Sequence, residues 1–315
     1  MTASKVKFVE VDEHHDGQRI DNFLLSYFNN VPKSRVYRAL RSGEVRVNKG
    51  RVKPLYRVQI GDRVRIPPLE QSDQNNAPVE ISQYWIEQVE SQIIYENEYL
   101  LVINKPAGIA VHSGTGDRVG VIEAFRSSRE HQPFLELAHR IDKETSGCLV
   151  LAKSRRALLD VQASIKADTS QKKYVCLVQG RWQVKNYTVS HALDTQTRTK
   201  VGAKVVASQT GKRAQTTFTT RELLGEHSLM SADIMTGRTH QIRVHAQQEG
   251  YPIAGDKRYG NFEYNRAMQK QGLTRMFLHA EYLKLRLDSL SQTVEFHAPL
   301  PGELKKLCKR LRKGA

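Results

Sequence analysis

The chain has 315 residues, enough for two domains, and at 39% hydrophobic and 26% charged it has the make-up of a globular protein that buries a sizeable core. No stretch approaches the roughly 18 consecutive apolar residues of a membrane span, the start Met-Thr-Ala-Ser-Lys-Val-Lys lacks the apolar segment of a secretory signal, and Cys148, Cys176 and Cys308 form no Cys-x-x-Cys pair, which favours free thiols in a reducing cytoplasm over disulfides or a zinc site. The net charge of +16 points to a polyanionic partner, because each phosphate met by Lys or Arg releases a condensed counterion.

The charge is uneven. Lys33 to Lys53 holds eight basic residues and one acid, Glu44, whereas Ile66 to Asn104 holds no Lys or Arg and seven carboxylates. That break predicts a basic N-terminal module over residues 15–68, a linker over 69–91 centred on the polar run Glu70 to Pro78, and a larger domain over 92–315. Within the module, Ile20, Phe23, Leu24, Tyr27 and Phe28 recur at helical spacing behind a candidate cap at Asp16. A second helix follows Pro32, with Val36, Ala39 and Leu40 as its apolar side and Gly43 suited to its end. Arg35, Arg38 and Arg41 fall three apart on its exposed side. Val45 and Val47 alternate with Glu44 and Arg46 before an Asn48-Lys49-Gly50 turn, and Val64 and Ile66 alternate with Arg63 and Arg65. An arginine-bearing helix beside a basic hairpin is a phosphate-binding surface that positions RNA without reading its bases.

In the larger domain, short apolar runs at Leu100–Ile103, Cys148–Ala152 and Tyr174–Val178 read as buried strands. Thr216–Leu224 and Ser228–Met235 flank a hairpin turn at Gly225-Glu226, and Phe277–Leu287 and Thr293–His297 flank another at Asp288-Ser289. Pro301-Gly302-Glu303 opens a basic terminal helix with Leu304, Leu307, Cys308 and Leu311 on one side. The expected class is α+β with a mainly antiparallel sheet, preceded by a small α/β module.

Three polar patches interrupt these elements: Asn104 to Gly108 with Val111-His112-Ser113-Gly114, His139 to Gly147, and Gly237 to His245. Taken singly, each has an ordinary reading. Asp142 can cap a helix or pair with Arg140, and Tyr174 can be a core tyrosine. His240 and His245 lack the spacing of a metalloprotease helix, Gly114-Thr115-Gly116 lacks the Lys-Ser/Thr of a P-loop, and there is no Gly-x-Ser-x-Gly elbow.

Taken together, the patches resemble the RluA/RluC family of pseudouridine synthases. His139-Arg140-Ile141-Asp142 followed by Thr145-Ser146-Gly147 stands between the other two in family order, and Gly17 to Asp21, Pro32 to Ser34 and Gly43 to Asn48 resemble the S4 RNA-binding domain. Ile141, where leucine is common, and Lys173, where aspartate is frequent, are the departures. The resemblance implies an isomerase acting on uridines of large-subunit ribosomal RNA or a pre-ribosomal particle. That reaction needs neither redox change nor energy input, so no cofactor or metal is expected. No membrane is expected for want of a span, and a monomer is expected because no amphipathic seam is left over. The resemblance implies Asp142 as the catalytic carboxylate, Arg243 as its cation and Tyr174 as the tyrosine packed on the target base. Arg140 would fill the space left by the flipped nucleotide. Lys105 and His112 would support or face RNA, and Lys33, Arg35, Arg38, Arg41 and Arg46 would bind it through the first module. A tRNA isomerase and a non-catalytic assembly factor are the alternatives.

Overall fold

The computed structural model describes residues 6–28, 31–68, 81–114, 119–129, 131–167, 169–199 and 202–314, which divide into two compact units, 1–80 and 81–315. The first unit contains β1 (Lys7–Glu10), α1 (Ile20–Tyr27), α2 (Lys33–Ser42), β2 (Arg46–Val47), β3 (Gly50–Arg51) and β4 (Arg63–Ile66). Its four strands form an antiparallel sheet ordered β1-β4-β2-β3. Ile20, Phe23 and Leu24 of α1 and Val36, Ala39 and Leu40 of α2 are buried with Val45, Val47, Val64 and Ile66, so the apolar periodicities define one core. Gly43 ends α2 in the left-handed conformation, and Asn48 and Lys49 take positive φ in the tight hairpin turn. Asp16 is not the cap of α1. The N-cap is Arg19, without a side-chain cap, because Gly17 turns the chain at φ 66° and Asp16 accepts the Ile60 N–H instead.

The second unit runs through α3 (Gln83–Glu90), β5 (Ile93–Glu96), β6 (Leu100–Lys105), α4 (Val121–Ser128), β7 (Glu136–Leu137), β8 (Ser146–Ala152) and α5 (Arg155–Lys166). There follow β9 (Gln171–Gln179), β10 (Tyr187–Val189), β11 (Leu193–Thr199), β12 (Gly202–Ala207), β13 (Thr216–Leu224), β14 (His227–Ile234) and α6 (Gln241–Gln248). It closes with α7 (Phe262–Lys270), β15 (Leu278–Leu287), β16 (Gln292–His297) and α8 (Gly302–Lys313). The main sheet is ordered β10-β13-β14-β9-β15-β8-β6-β5, with β16 beside β15 and β7 beside β8, while β11 and β12 make a separate ribbon. Pairing is antiparallel except between β8 and β15, so the unit is α+β and mainly antiparallel.

Alternation along β9 sends Cys176 and Val178 into a cluster with Trp182, Phe218 and Ile242, and Val175 and Leu177 into one with Met268, Leu304 and Leu307. Residues 83–90, read from the sequence as the end of a linker, are helical. Ser82 accepts the Trp85 N–H at 3.3 Å, and Ile86 and Val89 are buried as α3 packs on α4. Trp85, Ile86 and Val89 in a polar stretch do not announce a helix; the tertiary contact supplies what propensity lacks.

Candidate active site

The first polar patch is the end of β6 and the loop beyond it. Lys105 is wholly buried, and its ammonium donates to the carbonyls of Pro106 (2.7 Å), Ile109 (2.9 Å) and Lys143 (3.1 Å). Gly108 N–H also donates to the Lys143 carbonyl at 2.8 Å, so two bonds tie this loop to the one that carries Asp142. Burial, reinforced by Arg275, pushes Lys105 down to about 7.

The Asp142 loop joins β7 to β8. Ile141 is buried among Val111, Phe125, Leu135 and Leu149, and Thr145 N–H closes a turn on the Asp142 carbonyl at 3.0 Å. Val150 N–H donates to His139 Nε2 at 3.1 Å, and burial pushes this imidazole down to about 4, so it is neutral. At the other end, Ser146 Oγ receives a bond from Arg275 (2.8 Å) and meets His279 Nδ1 (2.8 Å). Gly147 follows with φ 116°, where an added Cβ would run into the Ala280 carbonyl; only glycine lets β8 and β15 approach so closely.

Into this fixed loop comes Arg243 from α6. Its Nη1 donates to Asp142 Oδ2 at 3.1 Å, while Nε and Nη2 fork onto Asp256 Oδ2 and Oδ1 at 2.7 and 2.9 Å. The Asp142 side chain retains 20% exposure, Arg243 8% and Asp256 none. Asp256 Oδ1 also accepts the N–H groups of Arg258 and Tyr259. Burial works against its charge, but Arg243 and these amides hold the carboxyl below the usual range. Arg243, despite its own desolvation, is driven further towards the charged form by Asp256 and Asp142. Two carboxylates therefore share one guanidinium, and only Asp142 reaches the open side.

His240 begins α6 at φ 56°. Its Nδ1 lies 2.8 Å from the Tyr259 hydroxyl, whose oxygen accepts the Val205 N–H at 3.0 Å. On its other side, His240 Nε2 lies 3.9 Å from Asp142 Oδ2. Burial pushes His240 down to about 4. Gln241 is buried, accepting from Thr236 and Arg238 and donating to Gln215 and Thr216, and so locks the approach to the helix. His245 is spent on Thr216 and the His191 carbonyl.

Tyr174 lies opposite Ala232 of β14 and Ala280 of β15, two small side chains that leave space around its ring. A cavity of about 90 Å³ is lined by Arg140, Asp142, Tyr174, Ile234, His240 and Arg243, and one of about 190 Å³ adjoins it through Arg140, Tyr174 and Ile234. Burial, then the charge of Asp142, raises the Tyr174 phenol, which stays protonated.

Of the residues expected from the sequence, Asp142, Arg243, Tyr174 and Arg140 meet at one cavity. Lys105 cannot touch RNA: three carbonyls enclose it, and it acts as an internal tie. His112 is exposed beside Gly120 and does not line the cavity. Lys33, Arg38, Arg41 and Arg46 are exposed in the first unit, and Arg35 is half-buried in an ion pair with Glu44 at 2.9 Å. Sequence reasoning missed Asp256 and Tyr259. The only signal was a polar run bracketed by Gly255 and Gly260, and nothing in its spacing links it to Arg243. Among the described residues, no cluster of three or more His, Cys, Asp or Glu is arranged to hold a metal ion.

Comparison with known proteins agrees with this geometry. The family model described as RNA pseudouridylate synthase matches residues 99–248, and the S4 domain matches 18–64. The ribosomal large subunit pseudouridine synthase C of Haemophilus influenzae is 43% identical over 98% of this chain and 96% of its own. That of Pasteurella multocida is 45% identical over 98% and 94%, and that of Escherichia coli O157:H7 is 42% identical over 98% and 97%. Among solved structures, human RNA Pseudouridylate Synthase Domain Containing 1 is 26% identical, with TM-score 0.56 over 70% of this chain and 94% of that one. Human RNA Pseudouridylate Synthase Domain Containing 4, at 22% identity, shares the fold with TM-score 0.60 over 73% and 96%. Matched over nearly its whole length by such relatives, the chain belongs to the RNA pseudouridylate synthase family and carries an S4 domain at its N-terminal side.

Proposed function

We propose that the protein isomerises specific uridines of large-subunit ribosomal RNA to pseudouridine, with Asp142 as the acting carboxylate. The observation that carries this reading is the Asp142–Arg243–Asp256 arrangement. Asp256 saturates two guanidinium nitrogens of Arg243 and leaves the third to Asp142, which lines the cavity. A protein that only bound RNA would gain nothing from burying three charges at a desolvation cost of several kcal/mol per ion.

Pseudouridine formation breaks the N1–C1′ bond, turns the uracil and rejoins it through C5. Positive charge builds at C1′ as the bond breaks, and an ionised carboxylate there either adds to C1′ or takes the 2′ proton. Both routes need a carboxylate at the sugar, and Arg243 donates to Asp142 at 3.1 Å. The uridine leaves its stack to enter, at a cost of a few kcal/mol, and exposed Arg140 at the rim has the flat cation suited to stack in its place. Tyr174 offers its ring to the base. Because its phenol stays protonated, it relays the C5 proton only by giving up its own. The first unit supplies phosphate contacts that hold the substrate. The three buried free thiols fit a reducing cytoplasm. Among the described residues no helix is long and apolar enough to cross a membrane.

The test is incubation with unmodified large-subunit ribosomal RNA, then carbodiimide treatment and reverse-transcription mapping. Discrete new stops are expected with the wild type and none with Asp142→Asn, which should still bind the RNA. Turnover by Asp142→Asn would remove Asp142 from its role, and stops only on tRNA would move the substrate.

A further inference from the structure

The positive charge is not chiefly where the arginine helix α2 suggests. Residues 1–80 carry 14 Lys and Arg against 10 Asp and Glu, whereas 81–315 carry 35 against 23. Within the second unit, segments 257–275 and 302–314 together hold 11 Lys and Arg and only two acids, Glu263 and Glu303, of which Glu303 pairs with Arg275 at 3.4 Å.

The two segments adjoin. Asn265 of α7 accepts the Gly255 N–H at 2.8 Å and donates to the Asp256 carbonyl at 2.8 Å, which pins the helix to the turn that holds Arg243. At its far end, the Gln271 carbonyl receives Arg310 of α8, and Met268, Leu273, Leu304 and Leu307 share one cluster beneath both helices. Along α7, Phe262, Arg266 and Lys270 recur four apart and are all exposed. Phe262, at 79%, is the most exposed large apolar side chain among the described residues. On α8 the buried Leu304, Leu307, Cys308 and Leu311 leave Lys305, Lys306, Lys309 and Lys313 outward. Glu222 takes Arg312 at 2.5 Å and so removes it from that row.

We propose that this α7–α8 ridge, from Lys257 beside Asp256 to Lys313, is a second RNA-binding surface of the catalytic unit, in which the cations meet phosphates and Phe262 stacks on an unpaired base. It rests on the RNA-substrate reading above. A solvated basic helix needs no exposed phenylalanine, whereas aromatics interleaved with cations are what single-stranded nucleic acid recognises. The ridge packs on the sheet face opposite Tyr174: Val175 and Leu177 of β9 lie in its cluster, Cys176 and Tyr174 in the other. An RNA in the cavity therefore reaches the ridge by passing round the Asp256 turn, which demands a substrate extending well beyond the target uridine.

Binding of unmodified large-subunit ribosomal RNA, measured as a function of salt, tests this. Each phosphate contact contributes about 0.7 to 0.9 to the log–log salt slope. The combined Lys306→Gln, Lys309→Gln and Lys313→Gln variant should lower the slope by about 2 and weaken binding roughly tenfold at 0.1 M salt. Phe262→Ala should weaken binding roughly tenfold and leave the slope intact. Phe262→Trp should restore binding and show indole emission quenched by RNA, above the background of Trp85 and Trp182. Unchanged thermal unfolding confirms that the variants fold, as their exposed positions lead one to expect. Wild-type affinity and slope in the lysine variant, with no quenching, would overturn the ridge; a slope change without any Phe262 effect would strike out the stacking. If the wild type itself neither bound nor isomerised this RNA, the parent reading would fail first and the ridge with it.

Discussion

Arg243 and Arg38 carry the same guanidinium in opposite settings. Arg243 is buried, and its nitrogens are committed to three carboxylate oxygens on two aspartates. Arg38 and its neighbour Arg41 are exposed on the outer face of α2. The buried cation cannot turn towards a phosphate without abandoning Asp256, so its effect is exerted on Asp142. The exposed ones can exchange water for phosphate at little cost, and what they contribute falls away with salt. One side-chain type thus fixes a carboxylate pair in one unit and, on the function proposed above, provides adjustable adhesion in the other.

The sharpest way to break this contrast is to remove the buried cation. Arg243→Ala leaves two carboxylates facing each other in a dry site and should cost about 3–5 kcal/mol of stability along with the activity. Adding Asp256→Asn to it should restore part of the stability but not the activity. If Arg243→Ala unfolded at the wild-type denaturant midpoint, the network would not be the tightly coupled unit described.

Acidification acts next. His139 and His240 are both pushed down to about 4 by burial, while an unfolded histidine titrates at 6.5. Between those values the unfolded chain binds the extra protons, so stability falls as pH drops from 6.5 towards 4, by roughly 3 kcal/mol for His139. His245 and His279 shift the same way, and Asp256, with its lowered carboxyl, adds its loss only below about 4. Unfolding measured across this range should show the loss in the wild type and a smaller one in His139→Gln. An identical acid profile would assign the sensitivity elsewhere.

The smallest effect belongs to the exposed side. Arg38→Gln with Arg41→Gln should lower the salt slope of RNA binding by about 1.5 and weaken affinity several-fold, with stability within about 0.5 kcal/mol of wild type. An unchanged slope would reduce the α2 face to solubilising charge.

Much of the fold was legible because periodicity and turn residues agree with tertiary structure. The α2 pattern with Gly43, the hairpin at Gly225-Glu226 and the inner stripe of α8 lie where the residues put them. The α3 helix was not legible, since Ile86 and Val89 gain their meaning only from α4. In the site, Asp142, Tyr174 and Arg243 were found by resemblance to a family, not by spacing. Asp256 went unseen because a buried ion pair between residues 243 and 256 is made by the turn at Gly255, where an added Cβ would strike the Arg275 carbonyl. For Lys105 the sequence left support and RNA contact both open, because a lysine at a strand end ordinarily points to water and its burial depends on carbonyls of its own loop and of the distant Lys143.

The single parallel contact of the sheet, Ser146 and Gly147 of β8 beside His279 and Ala280 of β15, bears on the order of events during synthesis. The support of the Asp142 loop comes from a strand 133 positions later in the chain. Such distant pairings close late, and chains emerge N-terminus first. A nascent protein therefore presents a finished S4 domain well before its Asp142 loop is braced. On the function proposed above, this schedule lets the protein hold RNA before it can modify it, and premature release near residue 275 would yield a chain that binds substrate without turning it over.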